Sequence, residues 1–208
     1  MKKDPYRLIA RTYDLLVEPA VGKWRKTALD VYPPRENICI LDAGCGTGTQ
    51  LELYSKPGCK LYGVDASPAM LDAARRKLGD SAELSLQDTS HMNFPDRMFD
   101  LITMVLALHE IPASLRPAVL TECKRVLKAD GRILLIDFYF GPYSFPQGYP
   151  LRIIRMFMEI GAGREHYANF RDFKKRGGME PLIAEAKLSI DKLVVLPNGI
   201  AAVHLLRL

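Results

Sequence analysis

The 208-residue chain is expected to form an α/β fold: a doubly wound, mostly parallel sheet of seven strands, with an antiparallel C-terminal strand and a small helical cap. Three features carry this expectation. Short apolar runs alternate with stretches of helical period between residues 38 and 139, the pattern of successive βαβ units. A glycine-rich turn follows the first run, as in nucleotide-binding α/β sheets. The last two apolar runs are separated by only Pro197-Asn198-Gly199, which leaves no room for a crossover helix and implies antiparallel pairing.

The elements follow in order. Residues 6–31 are helical in pattern. Residues 38–42 read as a buried strand, 44–48 as a turn, 49–56 as a helix and 60–65 as a second strand. Ser67 is an N-cap with Pro68 at the first helical position, and Leu71, Ala74 and Leu78 give that helix an apolar face. Residues 82–86 form a third strand. Residues 99–106 form a fourth, apolar enough to be buried on both faces. Ser114 is expected to cap a helix whose face is Leu115, Val119, Cys123, Val126 and Leu127, ended by Ala129-Asp130-Gly131. Residues 133–139 are a fifth strand. Residues 151–160 suggest a helix with Arg152, Arg155 and Glu159 as a narrow polar stripe. Residues 188–196 and 200–206 complete the sheet.

Composition narrows the class. With 48% apolar and 25% charged residues, the chain is neither disordered nor fibrous, and its length suits one domain. No apolar run approaches the ~20 residues of a membrane helix. Met1-Lys-Lys-Asp-Pro5 has no apolar stretch behind it, so no secretory leader is expected. Cys39, Cys45, Cys59 and Cys123 make no Cys-x-x-Cys pair and no zinc spacing; reduced thiols in a cytoplasmic protein are expected. The net charge of +5 is uneven: +4 over residues 1–35, −3 over 36–150, +4 over 151–176 and zero beyond.

The glycine-rich turn reads Leu41-Asp-Ala-Gly-Cys-Gly-Thr-Gly48. It lacks the third glycine of the dinucleotide fingerprint, which would fall on Thr49 or Leu51, and the lysine of a phosphate loop. It resembles the first motif of class I S-adenosylmethionine-dependent methyltransferases, D-x-G-x-G-x-G. Four further stretches are similar to that family in order: Val64-Asp65-Ala-Ser-Pro-Ala-Met70, Gln87-Asp88, Phe99-Asp-Leu-Ile102 with Leu106-Ala-Leu-His109, and Arg125-Val-Leu-Lys-Ala-Asp-Gly131 leading into residues 133–137. Within the family the chain looks closest to the branch of quinone-ring C-methyltransferases and some phospholipid N-methyltransferases.

The resemblance implies a Rossmann-like fold and S-adenosylmethionine as cofactor. It divides the single domain into an N-terminal helical cap (1–35), a cofactor-binding core (36–140), an acceptor-side cap (141–180) and a C-terminal hairpin (181–208). Gly44, Cys45, Gly46 and Gly48 would form the turn around the ligand, and Asp42 would help hold its amino-acid end through water. Asp65, at the end of the second strand, would accept hydrogen bonds from both ribose hydroxyls, with Ala66 beside it. Its competing role is to cap a helix. Asp88 and Thr89 would face the adenine amine, against a simple turn role for Asp88. Met70 would lie under the adenine, or pack in the core. Leu106 and His109 end the fourth strand, the edge where ligands bind in such sheets.

Catalysis of methyl transfer needs alignment and sometimes a base. Candidates are His109, Tyr13 as a residue that closes the site, and His166 and Tyr167 within Glu165-His-Tyr-Ala-Asn-Phe170. His109-Glu110 does not open a metalloprotease motif, because Ala113 stands where the second histidine belongs, and no metal constellation is visible in the spacing. The two +4 segments are the two caps. An electropositive, apolar entrance would suit a small or lipophilic anionic acceptor, such as a quinol precursor or phospholipid, or peripheral contact with an anionic membrane. The alternatives are an RNA methyltransferase, suggested by a pI near 9 but lacking an added RNA-binding module, and a nucleotide-binding protein that transfers no methyl.

Overall fold

The computed structural model describes residues 4, 6–7, 9–10, 12–141 and 164–208. Its described elements are α1 (Tyr13–Val31), β1 (Cys39–Ala43), α2 (Thr49–Tyr54), β2 (Lys60–Asp65), α3 (Pro68–Leu78), β3 (Ala82–Leu86), β4 (Phe99–Val105), α4 (Arg116–Val126), β5 (Leu127–Phe138), α5 (Arg164–Lys175), α6 (Met179–Glu185), β6 (Ser189–Val195) and β7 (Ala201–Arg207). The seven strands form one sheet in the order β3-β2-β1-β4-β5-β7-β6. β1 to β5 pair in parallel, and β7 runs antiparallel to both β5 and β6. This is the Rossmann-like sheet with a reversed last strand that the sequence leads one to expect.

The strand sequences explain the layers. Successive strand residues point to opposite faces, so neighbours such as Ile40 and Leu41, Leu101 and Ile102, or Leu134 and Leu135 enter different cores. On one face Ile40, Leu101 and Leu134 pack with Ala28 of α1, Leu51 of α2 and Leu71 of α3. On the other, Leu41, Ile102 and Leu135 pack with Val119 and Cys123 of α4, Phe173 of α5 and Leu182 of α6. Both faces are covered, which is why β4 is apolar almost throughout.

Local signals explain most boundaries. Ser67 caps α3 by accepting from the Met70 N–H at 3.1 Å, and Pro68 opens the helix. The tail is a hairpin around Pro197–Gly199, with Gly199 at φ +68° and Val195 paired to Ala202. Two expectations fail. Ser114 does not cap α4: Leu115 is the N-cap, makes no side-chain cap bond and is 40% exposed rather than part of the apolar face. Nor does the helix run to 129–131. It stops at Val126, because Leu127 is already extended and paired with Phe99, and β5 resumes regular pairing at Arg132 after a bulge. The helix expected at 6–31 begins at Tyr13, and the one expected at 49–56 ends at Tyr54. The helix expected at 151–160 lies outside the described residues.

Candidate active site

In this strand order the chain direction of assembly reverses between β1 and β4, and ligands bind open α/β sheets beyond the C-terminal strand ends at that switch. The singled-out residues converge there. Gly44, Gly46 and Gly48 have φ of +78°, +52° and +80°. At Gly48 a Cβ would come within 2.7 Å of Leu78, so the turn is pressed against α3. At Gly46 a Cβ would meet nothing within 4 Å: the turn's open side is shaped to receive something else. The N–H groups of Gly44 and Cys45 donate to the Val64 carbonyl, and burial raises the pKa of the Cys45 thiol well above its ordinary value.

Asp65 binds the turn to the next helix. One carboxylate oxygen accepts from the Gly46 N–H and the other from the Ser67 N–H, each at 2.8 Å. The capping role and the ligand role therefore coexist: each oxygen keeps a further acceptor site for a ribose hydroxyl. Burial raises its carboxyl pKa above the ordinary value despite the backbone donors. Ala66 is exposed beside it. Met70 is buried, 3% exposed, so the packing role is realised. Asp88 is exposed and folds an Asx turn, accepting from the Ser90 N–H and hydroxyl; Thr89 is half-buried in that turn.

Asp42, buried next to Thr103 in register, accepts the Thr103 hydroxyl at 2.6 Å. Burial raises its carboxyl pKa to about 7 against the opposing effects of Thr103 and Arg25. The fully buried Gln50, at the start of α2, has an Nε2 without a hydrogen-bond partner, while its Oε1 accepts from Arg25 at 3.4 Å. A buried orphan donor calls for a ligand or water. Leu106 sits at φ +54°, a strained conformation for a leucine at the end of β4.

The acceptor side is built from β4, β5 and α5. His109 is 3% exposed, and its Nδ1 lies 2.8 Å from Asp137 at the end of β5. The same carboxylate accepts the backbone N–H of His109 and of Phe138. The carboxylate thus fixes the His109 ring through Nδ1 and the loop through its backbone. His166 stacks edge-on at 5.5 Å from His109, and Glu110 Oε1 lies 3.8 Å from both rings. Tyr6 donates a short hydrogen bond to Glu110, and its ring meets Tyr13 edge-on. Burial and the neighbouring Glu110 push the Tyr13 phenol upward, so Tyr13 stays protonated. Tyr167 packs against the cluster of Phe138, Phe170 and Ile200, with Leu106 and Trp24 on its flank.

Two supports were invisible in the sequence pattern. Arg116, fully buried, donates to the Leu108 and Ile111 carbonyls, to Asp172 and to the Asn169 carbonyl, tying the loop after β4 to α5. Asp14 accepts from Thr47 and Lys77, each at 2.6 Å, and ties α1 to the glycine turn. Burial opposes its ionisation, yet the bonds from Lys77 and Thr47 hold it below the usual carboxylate range. α5 also places His166 beside His109 and Glu110, a grouping that spacing alone does not bring together.

Residues 41–135 match the methyltransferase domain family. That match spans a little under half of the chain, and over it the chain is similar to methyltransferases. The family match covers the turn, Asp65, Asp88 and His109, and the strand order is the one described above. The chain is 35% identical to the demethylmenaquinone methyltransferase of Thermotoga maritima over 65% of this chain and 62% of that one. It thus spans less than two thirds of that relative's length. It is 26% identical to the enzyme of the same name from Beutenbergia cavernae, over 98% of this chain and 92% of that one. Among solved structures, an S-adenosylmethionine-dependent methyltransferase from Aquifex aeolicus has the same fold, with a TM-score of 0.64 and 17% identity over 99% of this chain and 98% of that one. The complex of the Haloferax volcanii Trm112 activator with a methyltransferase gives a TM-score of 0.72 at 18% identity, covering 100% of this chain and 99% of that one.

Proposed function

We propose that this protein is an S-adenosylmethionine-dependent methyltransferase that methylates a ring carbon of a lipophilic quinol precursor. The observation that carries the reading is the Asp137–His109 pair, set in an aromatic wall beside the glycine turn. The relatives named for demethylmenaquinone support a quinone-type acceptor over an RNA.

The residues present fit the cofactor: the open side of Gly46, the acceptor sites on Asp65 and the orphan amide of Gln50 are the observations that test it. When bound, S-adenosylmethionine supplies an electrophilic methyl on its sulfonium. Asp65 would accept from the ribose hydroxyls and Asp88 from the adenine amine, with Met70 beneath the ring. Asp42 and Gln50 would hold the amino-acid end. On the acceptor side, Phe138, Phe170 and Tyr167 supply an apolar surface for a flat ring. Replacing a ring hydrogen by methyl releases one proton. His109 Nε2 would take it, while Asp137 fixes the tautomer and stabilises the imidazolium. Tyr13 and Tyr6 would close the site from α1 and the segment before it. Exposed Leu15 and Leu16 on α1 accord with a lipophilic acceptor and peripheral membrane contact. No described helix is long and apolar enough to cross a membrane.

The test is transfer of labelled methyl from S-adenosylmethionine to reduced demethylmenaquinone, extracted into organic solvent. Label should enter the lipid, and His109→Gln should lower the rate about 10²–10⁴-fold with cofactor affinity unchanged. Label appearing in RNA, or a His109→Gln rate equal to that of the unaltered protein, would contradict the reading.

A further inference from the structure

The donors of the acceptor side form a second arrangement. His109, Glu110 and His166 each bring a ligand atom within 4.8 Å of the others, and Glu110 Oε1 is 3.8 Å from both imidazoles. They come from two separate elements, the loop after β4 and α5, held in place by one buried residue, Arg116. Their outer partners are those that orient metal ligands. Asp137 pairs with Nδ1 of His109 at 2.8 Å, Tyr6 donates to Glu110, and Asn169 donates from α5 to the Glu110 carbonyl. The trio is shielded: the side chains of His109, His166 and Glu110 are 3%, 15% and 27% exposed.

A tetrahedral zinc ion with bonds of about 2.0–2.2 Å to nitrogen and oxygen needs donors about 3.4 Å apart. Rotamer adjustment of Glu110 and His166 on the order of 1 Å reaches that spacing. Two imidazoles and a carboxylate favour a transition ion over magnesium or calcium. We propose that His109, Glu110 and His166 form a binding site for a divalent transition-metal ion of the zinc class, with Asp137 and Tyr6 in the outer shell. Three protein donors leave one position for water or an oxygen of the acceptor. The site rests on the positions of these side chains, not on the proposed reaction. An ion on Nε2 takes the place where that reaction puts its proton, so zinc is expected to inhibit methyl transfer.

Calorimetric titration of the untagged, chelator-treated full chain with zinc chloride tests it. One equivalent should bind. His166→Ala and Glu110→Gln should abolish that binding while S-adenosylhomocysteine still binds, which shows that the variants fold. Asp137→Asn should weaken zinc about 10–100-fold. Cobalt(II) should give the visible absorption of a four-coordinate ion, lost in His166→Ala. No saturable binding, or one equivalent that survives His166→Ala, overturns the proposal. Zinc that binds through these residues without slowing methyl transfer supports the site and removes the proton role of His109.

Discussion

Single residues carry the sharpest consequences. Asp42 has a carboxyl pKa of about 7 in the fold against an ordinary value of 3.8. Between those limits the folded protein keeps a proton that the unfolded chain has lost. Its contribution to stability is therefore full below pH 3.8 and is lost as the pH rises to about 7. Asp42→Asn is expected to remove that loss and raise stability at pH 8 by on the order of 2–4 kcal/mol, read from thermal unfolding at pH 5 and pH 8. The same substitution should weaken S-adenosylhomocysteine, whose ammonium favours the ionised carboxyl. Gly46→Ala should cost only about 1–2 kcal/mol of stability, from φ +52°, yet abolish cofactor binding by filling the open side of the turn. The positions of Asp42, Gly46 and Asp65 were legible because each sits in a short local motif, at 41–48 or at 64–70. Asp137, Arg116 and Tyr6 were not: each acts through a partner from another element, and no local spacing encodes that pairing.

At the scale of elements, the loop after β4 and α5 stand or fall together. Arg116 joins them through two carbonyls on one side and Asp172 with Asn169 on the other. Arg116→Ala leaves those acceptors buried or unpaired, and should destabilise the protein by about 3–5 kcal/mol in urea unfolding, with His166 no longer held against His109. An unchanged midpoint would show that α5 is held by its apolar face alone. The strands were readable from periodicity, since their apolar runs are short and separated by turn residues. The junction of α4 and β5 was not. Residues 123–131 carry apolar spacing compatible with either state, and pairing of Leu127 with Phe99 decides the outcome. Donors on α5 could be named from the sequence but not placed, since only the packing of α5 on Phe138 and Phe140 shows which end of the sheet it covers.

At the scale of the whole molecule, the sheet order puts the ends of β1, β2, β4 and β5 side by side, and with them the turn, Asp65, His109 and Asp137. The cofactor half of this edge lies in one stretch of the chain; the acceptor half joins the loop after β4 and the end of β5 to α5 and to Tyr6 and Tyr13 near the N-terminus. Charge is distributed likewise, with +4 in the first 35 residues. Sedimentation with vesicles at low salt is expected to show more protein on anionic than on neutral lipid, and equal binding would remove the electrostatic contribution. The central claim is that the turn and Asp65 grip an adenosyl ligand. Calorimetric titration with S-adenosylhomocysteine tests it most directly. One equivalent should bind, and Asp65→Ala should weaken it by about 1.5–3 kcal/mol, the scale of hydrogen bonds to a charged group. No binding, or an affinity indifferent to Asp65→Ala, would contradict the account.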